Sequence, residues 1–120
     1  MPTSRILVVE DELIIAEAMK DGLAEIGLSN CLHASSLEDA MTAVRGGDVA
    51  GALLDIRLNG DLVFPVAELL RAKGVPFAFC SGNGDASVIP ETLEGAPILS
   101  KPWPPGELER LAERLFKASA

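Results

Sequence analysis

A length of 120 residues with 48% hydrophobic side chains suits one compact domain and excludes a disordered chain. The formal net charge of −8, from 18 acidic and 10 basic residues, disfavours direct contact with DNA or RNA, because nucleic-acid binders usually present a basic face. No apolar stretch is long enough to cross a bilayer, and the start Met-Pro-Thr-Ser-Arg lacks a secretory pattern. We therefore expect a cytoplasmic protein that does not contact a membrane.

Short apolar runs alternate with helical patterns along the chain. Unbroken apolar runs of this kind are typical of strands buried on both faces of a sheet. The predicted strands are residues 5–9, 29–34, 51–55, 76–80 and 97–100. Helical spacing predicts helices that start at Leu13, Leu37, Pro65 and after Pro105. Residues 85–96 contain Pro90 and Gly95 and predict at most a short or mobile helix.

Local signals mark the ends of two of these helices. Gly27 follows the first helical pattern and is suited to end it, because glycine readily adopts a left-handed conformation. Ser36 with Asp39 three residues later forms a weakened capping box, which predicts the start of the second helix.

Five strands that alternate with helices predict a doubly wound α/β fold. Right-handed crossovers place helices on both faces of a parallel sheet, and sheets of this size commonly have the flavodoxin-like order 2-1-3-4-5. No linker or low-complexity segment interrupts the pattern. We therefore expect residues 1–120 to form a single domain without an output domain.

Polar side chains follow four of the predicted strands, at the edge where open α/β sheets bind ligands. They are Glu10, Asp11, Asp55, Ser81 and Lys101. Each alone has an ordinary structural explanation, such as a helix cap, a loop serine or a solvated charge. Three acids, a hydroxyl and a lysine at one edge together indicate a functional site.

Phosphoryl transfer is the chemistry that this combination suits. Packed carboxylates favour a bound cation, and oxygen ligands select Mg²⁺ or Mn²⁺. One carboxylate is then free to act as the nucleophile, while the metal, a lysine and a hydroxyl hold the incoming phosphoryl group.

Over essentially its whole length, the sequence resembles the receiver domains of two-component response regulators. The motifs that carry the resemblance are Val8-Val9-Glu10-Asp11-Glu12, Leu53-Leu54-Asp55, Ser81-Gly82 and Lys101-Pro102. It implies that Asp55 accepts a phosphoryl group from a histidine kinase or a histidine phosphotransfer protein. It also implies that Asp11 binds Mg²⁺ directly, that Glu10 acts mainly through water, and that the carbonyl of Arg57 completes the protein ligands.

The same resemblance assigns roles around the phosphoryl group. Ser81 and Lys101 would contact its oxygens, and the bond between Lys101 and Pro102 would be cis. Arg57 and Asn83 would flank the site and tune dephosphorylation. We expect a phospho-acceptor, not an enzyme with a turnover of its own, and a partner-binding surface on residues 85–96 and the last helix.

Two features distinguish this chain within the family. Ile98 occupies a position where many receivers carry an aromatic switch residue. Residues 76–84 resemble the Phe-Ala-Thr-Gly subfamily, with Cys80 and Ser81 in place of Ala and Thr. That subfamily is often paired with histidine kinases of the HWE or a related type.

Three other functions are alternatives to a phospho-acceptor. One is a receiver-like docking module that works without phosphorylation. The presence of all the residues needed for phosphoryl transfer counts against it. A haloacid-dehalogenase-type phosphatase generally has a second acid two residues after its nucleophile, where this chain has Arg57. A flavin or nucleotide carrier would need a phosphate-binding glycine-rich loop after the first strand, which is absent from the sequence.

The remaining chemically reactive residue types give weak signals. Cys31 and Cys80 share no motif spacing, and Cys80 ends an apolar run, so we expect it to be a small buried hydrophobe. His33 is expected to be structural or solvated.

Overall fold

The computed structural model describes residues 5–82 and 85–117, which form a five-stranded parallel sheet with helices on both faces. The strands are β1 (Arg5–Val9), β2 (Cys31–Ala34), β3 (Val49–Asp55), β4 (Phe77–Ser81) and β5 (Ile98–Ser100). Their order across the sheet is β2-β1-β3-β4-β5, which confirms the predicted flavodoxin-like arrangement.

Within the described residues, four α-helices connect and cover the strands. They are α1 (Leu13–Glu25), α2 (Leu37–Arg45), α3 (Phe64–Ala72) and α4 (Glu107–Ala112). The predicted helix signals are confirmed: Gly27 follows α1 with φ 89°, and the hydroxyl of Ser36 accepts a hydrogen bond from the Asp39 N–H at 3.1 Å. The last helix continues as a π-helical turn over Glu113–Lys117, which the sequence did not predict.

The apolar runs are unbroken because the sheet is buried on both faces. Alternate strand residues point to opposite faces. On one face the strands pack with α2 and α3 through side chains that include Leu7, Leu54 and Phe79. On the other face they pack with α1 and α4 through Val8, Leu53 and Ala78, among others.

The segment between β4 and β5 forms short 3₁₀ turns, where the sequence predicts at most a short or mobile helix. The two turns are Asp85–Val88 and Glu91–Leu93, and the described residues of this segment contain no α-helix. Pro90 lacks an N–H and disfavours helical conformation in the residue before it. Gly95 has φ 89°, which also interrupts a helix. Leu93 is fully buried and anchors the end of the segment.

Small differences at the strand ends affect the site. The fourth strand includes Ser81, which pairs with Ser100 and is therefore held in the sheet. After β3, a two-residue antiparallel ladder pairs Arg57–Leu58 with Asp61–Leu62 around a left-handed turn at Asn59 and Gly60. Among the residues that the structure describes, no helix has both the length and the apolar content needed to cross a bilayer.

Candidate functional site

Three carboxylates meet where β1 and β3 end. Glu10 and Asp11 follow β1, and Asp55 is the last residue of β3, so the parallel pairing of the two strands brings them together. One oxygen from each carboxylate lies within 4.8 Å of the others. Glu10 is fully buried and Asp55 is 6% exposed, while Asp11 is partly exposed. Such a cluster of hard oxygen donors, open on the Asp11 side, fits Mg²⁺ or Mn²⁺.

Lys101 joins the cluster from the end of β5. Its backbone N–H donates to the Ser81 carbonyl at 2.8 Å, which extends the pairing of β4 with β5 by one residue. The ammonium Nζ lies 2.8 Å from Glu10 Oε1 and 3.3 Å from Asp55 Oδ1. The bond between Lys101 and Pro102 is cis, as the sequence resemblance implied.

The charges in this cluster are only partly balanced. Burial, and after it the negative charge of Glu10, raise the pKa of Asp55 to about 7, against the opposing effects of Lys101 and the Arg57 backbone N–H. Burial by itself would lower the pKa of Lys101, but its contacts with Glu10 and Asp55 outweigh that effect and raise it. Lys101 therefore stays charged at neutral pH, and a second cation would further favour the ionised form of Asp55.

Backbone groups fix the two acids that follow β1. The Glu12 N–H donates to Glu10 Oε2 at 3.1 Å, and the Asn59 N–H donates to Asp11 Oδ2 at 3.0 Å. His33 donates from Nε2 to the Glu10 carbonyl at 2.8 Å, which confirms a structural role for this histidine. Asp11 is thus held by the turn after β3, and the side chain of Asp11 makes no capping bond to α1.

Ser81 lies at the site but faces its own loop. Its side chain is buried, and Oγ donates to the Gly82 carbonyl at 2.9 Å. A contact with a phosphoryl oxygen would require this hydroxyl to rotate. Cys80 is fully buried in the preceding position, and burial raises the pKa of its thiol to about 12, which confirms a small buried hydrophobe.

Arg57 approaches the site through its backbone, while its side chain pairs with an acid in the segment after β4. Its backbone N–H bonds to the Asp55 carboxylate, and its Nε donates to Asp85 Oδ1 at 2.9 Å. The assignment of its carbonyl as a metal ligand stays a prediction. Asn83, the other residue expected to flank the site, lies outside the described residues.

An apolar surface adjoins the cluster. Leu13 and Ile14, at the start of α1, are 64% and 84% exposed. A shallow groove beside them is lined by Ile14, Ile15, Ala18, Lys101, Pro102 and Trp103. Sequence reasoning assigned Leu13 and its neighbours only to a helix, it missed Asn59 and Asp85 as supporting residues, and it did not connect His33 with Glu10. Leu13 and Ile14 lie outside the periodic apolar face of α1. This departure from the period was the one signal in the sequence that could have indicated an exposed apolar surface.

Comparisons with known proteins found a curated relative of this chain. No protein-family model matches the chain. It is 32% identical over 111 residues to the transcriptional regulatory protein YvrH of Bacillus subtilis (strain 168), covering 90% of this chain and 47% of YvrH. The chain therefore spans about half the length of this curated relative.

Solved structures of similar sequence and fold match nearly the whole chain. The solution structure of SdrG from Sphingomonas melonis Fr1 is 30% identical with a TM-score of 0.77, and the match covers 99% of this chain and 98% of SdrG. The crystal structure of the receiver domain of NtrX from Brucella abortus is 24% identical and shares the fold, with a TM-score of 0.80 over 93% of this chain and 98% of that one.

Proposed function

The chain belongs to the response regulator receiver domains, and we propose that its phospho-acceptor is the carboxylate of Asp55. The observation that carries this assignment is the position of Asp55 between Lys101 and two further acids, at the end of a strand buried on both faces. Phosphoryl transfer needs a positioned nucleophile and cations that offset charge on the moving group. Asp55 is the acid that combines these neighbours with a rigid backbone.

The transfer that we propose takes the phosphoryl group from a phosphohistidine. A carboxylate oxygen of Asp55 attacks phosphorus, the new O–P bond forms as the N–P bond breaks, and the imidazole nitrogen keeps the bonding electrons. Lys101 supports the anionic group, and Ser81 does so after its hydroxyl leaves the Gly82 carbonyl. Glu10, Asp11, Asp55 and the Arg57 carbonyl would hold Mg²⁺, or Mn²⁺, which supplies further neutralisation of phosphoryl charge.

The phosphodonor in this proposal is a histidine kinase, with the HWE type among the candidates, or a histidine phosphotransfer protein. A donor has to bring its imidazole to Asp55, so it covers the residues around that edge of the sheet. Leu13 and Ile14 offer exposed apolar area there, which favours a protein donor with an apolar patch. We place this encounter in the cytoplasm, without nucleic acid or membrane.

The consequence of phosphorylation in this proposal is a change of surface. A phosphoryl group on Asp55 adds charge beside Ser81 and biases the loop between two arrangements. The domain then alters its contact with a downstream protein, or it drains phosphoryl groups from the kinase. We do not expect it to turn over a substrate.

Phosphorylation by a small-molecule donor tests the acceptor directly. Wild type incubated with acetyl phosphate and MgCl₂ should gain one phosphoryl group by intact mass, and hydroxylamine should remove it, as expected for an acyl phosphate. Asp55→Asn should gain none. Asp61→Asn removes an exposed acid six residues after Asp55 and should be labelled like wild type.

Two results would overturn the assignment. Label that persists in Asp55→Asn would place the acceptor elsewhere. A wild-type protein that binds Mg²⁺ but is never labelled, by acetyl phosphate or by a phosphohistidine donor, would favour a docking module that works without phosphorylation.

A further inference from the structure

An ion pair connects the loops that follow β3 and β4. Arg57 Nε donates to Asp85 Oδ1 at 2.9 Å, across 28 positions of sequence. The Arg57 side chain is 50% exposed and the Asp85 side chain 19% exposed, so the acid is the more enclosed partner. Asp85 is also the first residue of the 3₁₀ turn Asp85–Val88. The contact therefore ties this turn to the residue that lies two positions after Asp55.

Both members of the pair lie beside the candidate acceptor site. The Arg57 backbone N–H bonds to the Asp55 carboxylate. Asp85 Oδ2 lies 3.8 Å from the position that a Cβ on Gly82 would take, and Gly82 follows Ser81 directly. Lys101 is engaged by Glu10 and Asp55, whereas the Arg57 guanidinium is engaged by an acid outside the cluster.

We propose that Asp85 and a phosphoryl group on Asp55 compete for the Arg57 guanidinium, so that phosphorylation releases the turn Asp85–Val88. This inference rests on the proposed function of Asp55. A phosphoryl group carries a charge of about −1.5 to −2 and offers oxygens that a guanidinium binds through two parallel hydrogen bonds. The same charge repels the Asp85 carboxylate. Arg57 thus contacts Asp85 in the unphosphorylated domain and the phosphoryl group in the phosphorylated domain.

The far end of the segment, at residues 91–93, is held by contacts that do not involve Asp55, Arg57 or Asp85. Arg71 Nη1 donates to the Thr92 carbonyl at 2.7 Å, and the Thr92 hydroxyl donates to Glu68 Oε2 at 2.5 Å. Leu93 is fully buried next to them. Release of Asp85 should therefore move the first turn and leave residues 91–93 on α3. This change needs no aromatic ring at Ile98.

Amide NMR with a phosphoryl mimic tests the exchange of partners. The probe is beryllofluoride with MgCl₂, and the signals are the backbone amides of residues 86–89 and the Nε–Hε group of Arg57. In wild type, the mimic should shift both sets of signals. Loss of an exposed ion pair changes a two-state equilibrium about two- to fivefold. We therefore compare Asp85→Asn without the mimic with wild type in both states. The amide signals of residues 86–89 in the variant should lie part of the way from the mimic-free to the mimic-bound positions of wild type.

Two further variants control for indirect effects. Arg57→Met removes the other partner and should displace the same amides in the same direction without the mimic. Thr92→Val removes the hydroxyl contact with Glu68 at the far end of the segment. It should leave the mimic-induced shifts of residues 86–89 unchanged, because those shifts come from Asp85.

The outcomes separate this inference from the function on which it rests. Suppose the mimic shifts Ser81 and Lys101 only when Asp55 is present, but Asp85→Asn and Arg57→Met match wild type at residues 86–89. The acceptor assignment would then hold, and the competition would be refuted. If the mimic shifts no signal that depends on Asp55, both the proposed function and the competition are refuted.

Discussion

Asp55 is a buried carboxylate whose neighbours only partly offset its charge. Lys101 lies 3.3 Å from Oδ1 but is closer to Glu10, at 2.8 Å, so one ammonium serves two acids. Burial and the Glu10 charge together raise the pKa of Asp55 to about 7. A residue with this environment is poised to bind a cation or to receive an electrophile, and the folded domain is less stable as a result.

Asp55→Asn should stabilise the domain in the absence of divalent metal. A carboxyl with a raised pKa contributes stability that is fully present below its ordinary pKa of 3.8 and is lost as the pH rises to about 7. At pH 8, the variant should therefore have a free energy of unfolding about 1–3 kcal/mol higher than wild type, since a buried, incompletely paired charge is removed. Urea denaturation monitored by circular dichroism measures the difference.

The pH dependence is the check on this explanation. The gap between Asp55→Asn and wild type should narrow as the pH falls from 8 toward 4.5. Asp61→Asn, at an exposed position, should stay within about 0.5 kcal/mol of wild type throughout. A gap that is independent of pH would mean that packing, and not charge, separates the two proteins.

The sequence was sufficient to predict the residues that end the strands, but not the residues that support them. Asp55 and Lys101 follow apolar runs, and the carboxyl ends of parallel strands share an edge, so their meeting could be predicted. The bond from His33 to the Glu10 carbonyl depends on the register of β2 against β1. The contact of Asp85 with Arg57 depends on the path of two loops. Neither the register nor the path leaves a periodic pattern in the sequence.

At the scale of elements, the β3 strand and the end of the last helix are fitted to each other. Gly51 lies in β3 beside Ile6 of β1. A Cβ on Gly51 would lie closer to the Phe116 ring than van der Waals contact allows, and 3.2 Å from Ile6 Cδ1. Phe116 belongs to the π-helical turn Glu113–Lys117, whose Lys117 Nζ donates to the Ile26 carbonyl at 2.7 Å. The absent side chain at Gly51 makes room for the aromatic ring.

Gly51→Ala should destabilise the domain, although replacing glycine by alanine in a compatible conformation stabilises proteins by about 0.4–1 kcal/mol. The added methyl group forces Phe116 to move, and overpacking of this kind costs about 1–3 kcal/mol. Urea denaturation measures the loss, and Ala50→Ser, at the exposed neighbour, serves as the matched control.

A double-mutant cycle identifies the cause. In a Phe116→Ala background, Gly51→Ala should cost much less, because the clash is gone. Equal costs in both backgrounds would show that the backbone of β3, and not the aromatic ring, requires glycine at this position.

The elements differ in how well the sequence predicts them. Helices such as α1 have a long apolar period and a glycine at the end, so local and tertiary preferences agree. Residues 85–96 lack this agreement, since Pro90 and Gly95 oppose a helix while Leu93 has to be buried. The π-helical turn places Phe116 beside Gly51, a contact between residues 65 positions apart, which no local pattern in the sequence reports.

At the scale of the whole molecule, negative charge opposes the compact state. The net charge is −8, and the edge of the sheet adds three carboxylates whose oxygens lie within 4.8 Å of one another. General repulsion is reduced by any salt, because screening acts on all exposed charges. The cluster of Glu10, Asp11 and Asp55 differs, since a small divalent cation can be bound there by several oxygens at once.

Magnesium should therefore stabilise the domain more than sodium does at the same ionic strength. A ligand that binds only the folded state at ten times its Kd raises the free energy of unfolding by about 1.4 kcal/mol. We expect a gain of this size on adding MgCl₂ at pH 8, relative to NaCl of matched ionic strength, measured by thermal or urea denaturation. Asp11→Asn should lose most of the gain, because it removes the most accessible acid of the cluster, whereas Asp61→Asn should retain it. If NaCl stabilises wild type as much as MgCl₂ does, the effect is screening of the net charge, and the three carboxylates do not form a metal site.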